Sequence, residues 1–243
     1  MALTKDDAKK VVDDFFSGKY TVTDTEKIPS VEDLTFGKNG KKIELAMLFI
    51  DIRESTAIVD ATRRVTAARM YKTFLWGVTK IARENDGEIC SFNGDGVLAA
   101  FAGGMKRTNA AKAALQMRWF GTELLKPKMD EYFEENTQLQ GKEFDFGIGI
   151  DSGDVLVVRG GIRGENNNDL VWVANATNYA VKLSKEGSSP YYVCISERVY
   201  DNMKDSSKYG GSNNQNMWTK SYSAETGETV YKSSWHWALP DKK

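Results

Sequence analysis

Residues Ile43–Ile50 read Ile-Glu-Leu-Ala-Met-Leu-Phe-Ile, and Asp51 follows them directly. A nearly continuous apolar run is typical of a strand that is buried on both faces, because neither face alternates with polar side chains. The run stops at a carboxylate. The sequence therefore predicts a buried strand with an acidic residue at its carboxyl end, and the rest of the chain can be placed around this strand.

A β-hairpin is predicted further along the chain. Two short apolar runs, Glu88–Phe92 and Val97–Phe101, flank the turn sequence Asn93-Gly-Asp-Gly96. Asn and Gly readily adopt the backbone conformations that tight hairpin turns require. Because the turn carries Asp95, the hairpin places a second acidic residue at the end of a strand.

These two acidic residues define a candidate metal site. If the hairpin and the first strand are neighbours in one sheet, the carboxylates of Asp51 and Asp95 converge at one edge, beside a backbone carbonyl next to Asp51. Such an oxygen-rich cup suits Mg²⁺ and leaves positions for phosphate oxygens, and two ions held this way can support phosphoryl transfer. The alternative is that Asp51 caps the following helix and Asp95 serves only the turn.

The remaining pattern alternates helices with short strands. We expect helices over 4–20 (capped by Thr4), 57–85, 105–135 (kinked or broken by Pro127), 175–184 and 196–204, strands over 144–150, 155–158, 170–173 and 191–195, and a closing hairpin of 217–223 and 229–237. The first two of these strands are expected to pair around an Asp151–Asp154 turn, and residues 205–216 to form a mobile loop. Because several strand pairs are hairpins, this order predicts an α/β fold, an α+β sandwich with an antiparallel-rich sheet.

The composition excludes several kinds of site and partner. The chain of 243 residues has one histidine, His236, and two cysteines, Cys90 and Cys194, so neither a His-rich or Cys-rich metal site nor a disulfide framework is expected. A formal net charge of −1 gives no general attraction to nucleic acid or to an anionic membrane. Without a signal-peptide pattern or an apolar run near the ~20 residues of a spanning helix, we expect a cytoplasmic protein.

Four segments in order resemble the motifs of the class III nucleotidyl cyclases: Phe49–Thr56, Phe92–Phe101, Phe146–Val157 and Val171–Leu183. The resemblance implies a ferredoxin-like sheet with flanking helices, and a catalytic domain over residues 43–243 on which an N-terminal extension, residues 1–42, packs. It also implies conversion of a nucleoside triphosphate to a 3′,5′-cyclic monophosphate and pyrophosphate. Members of the family act as dimers with the sites at the interface, so a homodimer is expected.

The resemblance assigns roles to individual residues. Asp51, Asp95 and the Ile52 carbonyl would hold two Mg²⁺ or Mn²⁺ ions per site. The backbone N–H groups of Arg53, Glu54, Ser55 and Thr56, at the start of a helix, would bind phosphate oxygens. Lys220, with Lys232 as the alternative, would add a further phosphate contact.

The transition-state pair of the family is Asn followed four residues later by Arg, which here reads Asn178 and Lys182. Lysine offers a point charge and no bidentate fork. Either Lys182 takes over the contact to the α-phosphate, or another arginine such as Arg159 or Arg163 enters the site. Lys182 can also be an ordinary solvated helix charge.

Base recognition departs most from the purine cyclases, because the two selective positions hold Ser91 and Val171, with Trp172 beside them. This combination resembles the bacterial pyrimidine cyclases of the Pycsar antiphage system, which implies UTP, favoured over CTP, as substrate and a cyclic pyrimidine nucleotide that activates a separate effector protein. The alternatives are an adenylate or guanylate cyclase with atypical base contacts, and a degenerate, non-catalytic nucleotide-binding module.

Overall fold

The computed structural model describes residues 2–139, 141–164 and 167–241. Its helices are α1 (Lys5–Phe16), α2 (Ser55–Ala61), α3 (Arg64–Glu84), α4 (Lys106–Trp119), α5 (Lys126–Glu134), α6 (Asn175–Glu186), α7 (Glu197–Asn202) and α8 (Asp205–Lys208). Its strands are β1 (Thr21–Asp24), β2 (Asn39–Ile52), β3 (Gly87–Asn93), β4 (Gly96–Phe101), β5 (Phe146–Gly161), β6 (Asn168–Val173), β7 (Val193–Ser196), β8 (Tyr209–Gly210), β9 (Gln215–Asn216), β10 (Thr219–Ser223) and β11 (Glu228–Ser233).

The two longest strands, β2 and β5, lie side by side in the middle of a mixed sheet with the order β10-β11-β7-β5-β2-β4-β3. They pair antiparallel from Lys41↔Val157 to Ile52↔Phe146. Strand β7 runs parallel to β5, β1 runs parallel to β2, and β6 pairs antiparallel with the second half of β5. The other pairs are antiparallel, which confirms the predicted mixed α/β fold with an antiparallel-rich sheet.

Both faces of β2 are buried, as its apolar run predicts. On one face Leu48 and Ile50 pack under α3, α4 and α5, in a core that contains the aromatic cluster of Phe74, Phe144 and Phe146. On the other face Met47 and Phe49 belong to a second core with residues of β5 and α6. Because successive side chains of a strand point to opposite faces, a strand with a core on each side is apolar at nearly every position.

The predicted Asp151–Asp154 turn is wrong, because β5 runs without interruption for 16 residues. The Asp151 side chain is fully buried, and its Oδ1 accepts hydrogen bonds from Ser196 Oγ at 2.6 Å and Arg198 Nε at 2.7 Å. These partners are remote in sequence, and they pair one oxygen of a carboxylate that local turn chemistry would have exposed to solvent.

The predicted helix over 57–85 is two helices. The chain is extended at Thr62, where φ is −120° and ψ is 163°, so α2 ends before α3 begins. The region 105–135 does change character near Pro127, as expected. A π-helical turn over Phe120–Leu125 joins α4 to α5, and Pro127, which has no N–H to donate, lies in the first turn of α5.

The segment 205–216, predicted as a mobile loop, contains α8 and the short β8–β9 ladder. It is fixed by Ser207, which is buried: its Oγ donates to Thr108 O at 3.2 Å, and its carbonyl accepts from Trp218 Nε1 at 2.7 Å. The polar, glycine-containing sequence of this segment predicts a loop, because it gives no sign of contacts with distant residues.

The N-terminal segment makes two kinds of contact with the rest of the chain. Helix α1 begins after Thr4, as predicted, and Thr4 forms a capping box with Asp7. No residue of α1 is buried, and near its C-terminal end Asp14 Oδ1 forms an ion pair with Lys38 Nζ at 3.0 Å. In contrast, β1 joins the sheet through β2, and Leu34 is part of a core. The domain boundary at residue 42 stays a prediction, with β2 beginning three residues earlier, at Asn39.

None of the helices in the described part of the chain is long and apolar enough to cross a membrane.

Candidate active site

The structure brings Asp51 and Asp95 together at one edge of the sheet. Asp51 lies at the end of β2, and Asp95 lies in the turn between β3 and β4. Strands β2 and β4 are neighbours with Ile50 opposite Val97, which places this turn beside Asp51. A Cβ atom at Gly96 would lie 3.3 Å from Asp51 Oδ1 and 2.6 Å from Phe49 Cζ, so the turn approaches the carboxylate as closely as a glycine permits.

The two carboxylates share a half-buried environment. Burial raises the pKa of Asp51 to about 6, the neighbouring Asp95 carboxylate adds to the rise, and Arg53 opposes it. Asp95 Oδ2 is buried without a hydrogen-bond partner in the described residues. A divalent cation would relieve both the charge repulsion and the unpaired oxygen.

The donor set fits Mg²⁺ or Mn²⁺ rather than an ion held wholly by protein. No group of three or more His, Cys, Asp or Glu side chains is arranged as a metal site in the ranges that the structure describes. Mg²⁺ typically takes one or two carboxylates and completes its coordination with water and substrate phosphate oxygens. The pair of Asp51 and Asp95 offers the two carboxylates that a site of this kind would need.

Tyr71 on α3 faces the same pair, and sequence reasoning missed it. Burial raises the pKa of the Tyr71 phenol, the Asp95 and Asp51 carboxylates add to the rise, and Ser55 lowers it. Tyr71 lies within the helix predicted over 57–85, and the signal that could have singled it out is the hydroxyl of tyrosine, which a purely apolar core does not need.

The segment after Asp51 is partly committed to the fold. The Arg53 N–H donates to Asp145 O at 2.9 Å, and its guanidinium donates to the carbonyls of Ser184 and Gly187. Both Arg53 groups are therefore occupied within the chain, contrary to the expectation that its N–H binds phosphate. Glu54 has a left-handed backbone, with φ of 52°, and α2 follows it.

Ser55 and Thr56 form the first turn of α2, where main-chain N–H groups lack intrahelical acceptors. The Glu54 carboxylate forms an ion pair with Lys142, with 2.5 Å between Oε2 and Nζ. Because main-chain N–H groups at the start of a helix lack intrahelical acceptors, those of Glu54, Ser55 and Thr56 remain the predicted phosphate contacts of this segment.

Asn178 and Lys182 lie one turn apart on the outer face of α6. The opposite face, with Ala176 and Ala180, packs on the sheet. Asn178 is exposed, and Lys182 Nζ lies 5.8 Å from the centroid of the Tyr179 ring. Neither side chain forms a hydrogen bond or ion pair with the carboxylate pair within the described chain, which is the arrangement expected if a second chain completes the site.

Basic side chains on β10, β11 and α7 are paired. Lys220 lies 3.3 Å from Glu197, and Lys232 lies 3.0 Å from Glu186. The side chain of Arg198, which the sequence did not single out, lies 5.5 Å from the centroid of the Tyr179 ring and is anchored by its hydrogen bond to the buried Asp151.

The two arginines offered as alternatives to Lys182 lie elsewhere. Arg159 donates to Asn168 Oδ1 at 2.9 Å and to Leu34 O at 3.2 Å, so it is engaged next to the N-terminal segment. Arg163 lies in the exposed turn that follows β5.

The predicted base-recognition residues do not all share one face of the sheet. Trp172 packs on the core under α6, whereas Val171, 46% exposed, points to the opposite side of β6. Ser91 lies opposite Leu98, whose side chain belongs to the same core as Trp172, and Asn93 Nδ2 lies 3.4 Å from Ser91 Oγ. Ser91 and Trp172 therefore lie on the same face of the sheet, and Val171 lies on the opposite face.

Known proteins similar to this chain agree on one family. Residues 38–231 match the family model described as the adenylate and guanylate cyclase catalytic domain. The chain is 34% identical over 237 residues to a uridylate cyclase of Xanthomonas perforans, covering 97% of this chain and 98% of the relative. It is also 34% identical over 241 residues to a uridylate cyclase of Burkholderia cepacia, covering 98% and 100%.

Among solved structures, the guanylyl cyclase Cya2 superposes with a TM-score of 0.59 over 81% of this chain and 94% of its own, at 15% identity, a likeness that shows the fold. The matched residues 38–231 include β2, the β3–β4 turn and α6, and therefore all three elements of the candidate site. The chain belongs to the adenylate and guanylate cyclase catalytic-domain family, the class III nucleotidyl cyclases, and is a nucleotide cyclase.

Proposed function

We propose that the chain is a homodimeric uridylate cyclase, which converts UTP to 3′,5′-cyclic UMP and pyrophosphate. The observation that carries the proposal is the half-buried pair of Asp51 and Asp95 with its unpaired oxygen, in a chain similar over nearly its whole length to two uridylate cyclases. In this reaction the 3′-oxygen bonds to the α-phosphorus, the bond from that phosphorus to the bridging oxygen breaks, pyrophosphate leaves, and the 3′-hydroxyl proton passes to solvent.

Asp51, Asp95 and the Ile52 carbonyl would hold two Mg²⁺ or Mn²⁺ ions. Ions at this site would favour the 3′-alkoxide and neutralise charge on the triphosphate. The protein's own part is positioning and charge stabilisation. The N–H groups of Ser55 and Thr56, together with that of Glu54, bind phosphate oxygens, and Lys220 adds a positive charge from β10.

Two chains are needed because the two halves of the site do not meet within one chain. Asn178 and Lys182 face away from the sheet, where a second copy can present its own carboxylate pair. Four apolar side chains at the margin of the core between the sheet and α6 are only half-buried, which leaves apolar surface that a second copy would cover: Cys90, Leu170, Trp172 and Val181. In a symmetric dimer each site then takes metal ligands from one chain and transition-state contacts from the other.

Specificity for a pyrimidine rests on the two relatives and on the absence, at Ser91 and Val171, of the residue types that purine cyclases of the family use. Ser91 and Trp172, which lie on the same face of the sheet, would offer a base a short polar contact and an aromatic surface. UTP is favoured over CTP because both relatives are named uridylate cyclases. A role in antiphage defence, an effector activated by the product and a cytoplasmic location stay predictions.

The test is incubation of the purified protein with each of the four ribonucleoside triphosphates and Mn²⁺, with product identification by mass spectrometry. Cyclic UMP as the main product supports the proposal. A cyclic purine nucleotide would indicate an adenylate or guanylate cyclase with unusual base contacts. Loss of all product formation in both Asp51→Ala and Asp95→Ala, with unchanged melting curves, is expected if these carboxylates hold the ions, and activity in both would refute the metal assignment.

A further inference from the structure

Arg53 connects the two functional halves of one chain. It follows the end of β2, which carries Asp51, and its main-chain N–H is held by Asp145 O. Its Nε and Nη2 donate to Gly187 O at 3.2 and 2.6 Å, and Nη2 also donates to Ser184 O. The side chain therefore ties the metal-site strand to the end of α6.

The carbonyls that accept these hydrogen bonds are those of the C-terminal end of the helix. The last four carbonyls of a helix lack the usual donor four residues ahead, and they carry the negative end of the helix dipole. Here the Gly187 N–H donates to Ser184 O at 3.0 Å, and Arg53 supplies further donors to Ser184 O and Gly187 O. A guanidinium supplies a full positive charge and several donors in a rigid planar fork, so it can bind two carbonyls at once. Lysine carries a single ammonium group rather than a planar fork, so it does not offer two carbonyls separate, fixed donors.

Gly147 makes room for this contact. A Cβ atom at Gly147 would lie 2.6 Å from Gly187 O and closer still to Ser184 O and Arg53 Nη2. Gly147 lies opposite Asp51 in the β2–β5 pairing. Any side chain at this position would displace either the guanidinium or the end of α6, so the sequence of β5 preserves the space that Arg53 needs.

We infer that Arg53 is a positioning residue that sets where α6, and with it Asn178 and Lys182, lies relative to the end of β2. Along the helix axis Ser184 is about 3 Å from Lys182 and about 9 Å from Asn178, so a shift at this contact reaches both side chains. This inference rests on the proposed dimeric cyclase. Because α6 serves the site across the interface, Arg53 of one chain tunes the site that contains the other chain's carboxylates.

Mixed dimers with one possible active site test this directly. One chain carries Asp95→Ala and supplies α6, the other carries Asn178→Ala and supplies the carboxylates, and the two are purified together with different tags. Arg53→Lys is introduced into either the first or the second chain. The same substitution is thus present once in both mixed dimers, and any cost in folding is common to them.

The expected result is a loss in kcat of about tenfold or more, with little change in the KM for UTP, only when Arg53→Lys is in the chain that supplies α6. A loss confined to the chain that supplies the carboxylates would show that Arg53 contacts phosphate in its own metal site, and it would overturn the inference. Equal losses in both arrangements would show a role in folding alone and would also overturn it.

A matched control and a readout without activity complete the design. Arg118 is buried and, like Arg53, donates to a main-chain carbonyl, that of Ser234, so Arg118→Lys should have the same small effect in either chain. Hydrogen exchange of the amides at 184–187 should accelerate about tenfold in Arg53→Lys and not in Arg118→Lys. Unchanged exchange would refute the inference. Inactivity of the unmodified mixed dimer would instead refute the shared site, with the exchange result still deciding the role of Arg53.

Discussion

Replacing Gly149 with alanine should cost far more activity than replacing Gly153, although both lie on the same strand beneath the same helix. A Cβ atom at Gly149 would lie 2.8 Å from the carbonyl carbon of Leu183 and closer still to Ala180 O and Ser184 N. All three are backbone atoms of α6, and none can move aside without moving the helix.

The size of the effect follows from this geometry. Ordinary contact begins at 3.4 Å, so α6 must move away from β5 by more than about 1 Å to clear the Ala180 carbonyl oxygen. Forcing an extra methyl group into a packed contact typically costs about 1–3 kcal/mol, which corresponds to a fall in melting temperature of about 2–12 °C for a chain of this length. Because the same movement displaces Asn178 and Lys182, we expect kcat to fall about 100-fold.

The assay is steady-state formation of cyclic nucleotide, with a thermal melting curve for each variant. Gly153→Ala is the matched control, because a Cβ atom there would meet only Ala176 Cβ, at an ordinary 3.8 Å. It should retain activity within about threefold and an unchanged melting temperature. If Gly149→Ala also stays within threefold of the native kcat, the reasoning that α6 must lie directly on the bare backbone of β5 is wrong.

Three further predictions concern charge and the N-terminal helix. The pKa of Asp51 is raised to about 6, and metal ions bind the deprotonated carboxylate. The affinity for Mn²⁺, measured by calorimetry, should therefore fall by up to about tenfold per pH unit below pH 6. An affinity that stays constant between pH 7 and pH 5 would contradict this. In metal-free buffer the folded state disfavours the charged form of Asp51, so the native chain loses stability as the pH rises from 3.8, the ordinary pKa of the carboxyl group, towards 6. Asp51→Asn should therefore melt at a higher temperature than the native chain at pH 7.5, and this gain should shrink below pH 5. Equal melting curves at pH 7.5 would argue against the burial of this charge. Removing residues 2–18 should change the melting temperature by less than about 1 °C, because α1 buries no residue; a fall of more than about 4 °C would mean that α1 packs against something in solution, such as a second chain.

The convergence of Asp51 and Asp95 could be predicted from short stretches of sequence, because local chemistry encodes the end of each strand. A two-sided apolar strand that ends in Asp51 and a hairpin turn that carries Asp95 are each recognisable alone. Their convergence followed from a single assumption, that the two are neighbours in one sheet, and the pairing of β2 with β4 confirms that assumption.

What the sequence could not predict depends on contacts between distant residues. Asp151 looked like turn chemistry, and only its partners Ser196 and Arg198 show that it is a buried strand residue. Arg53 resembled a phosphate contact because of its position after Asp51, whereas its carbonyl partners are more than a hundred residues away. No local periodicity records such partners, so these roles emerge only when the chain is folded.

The central place of β5 has a consequence for how the chain is made. Strand β2 can pair with β5 only after about 110 further residues have been synthesised, which takes roughly 5–20 s at ribosomal rates. Strand β4 is available sooner and can cover one edge of β2, whereas the other edge of this apolar strand waits for its partner. Synthesis of this chain therefore includes an interval in which its most apolar strand is open on one side, and rapid overproduction should favour aggregation over the native sheet.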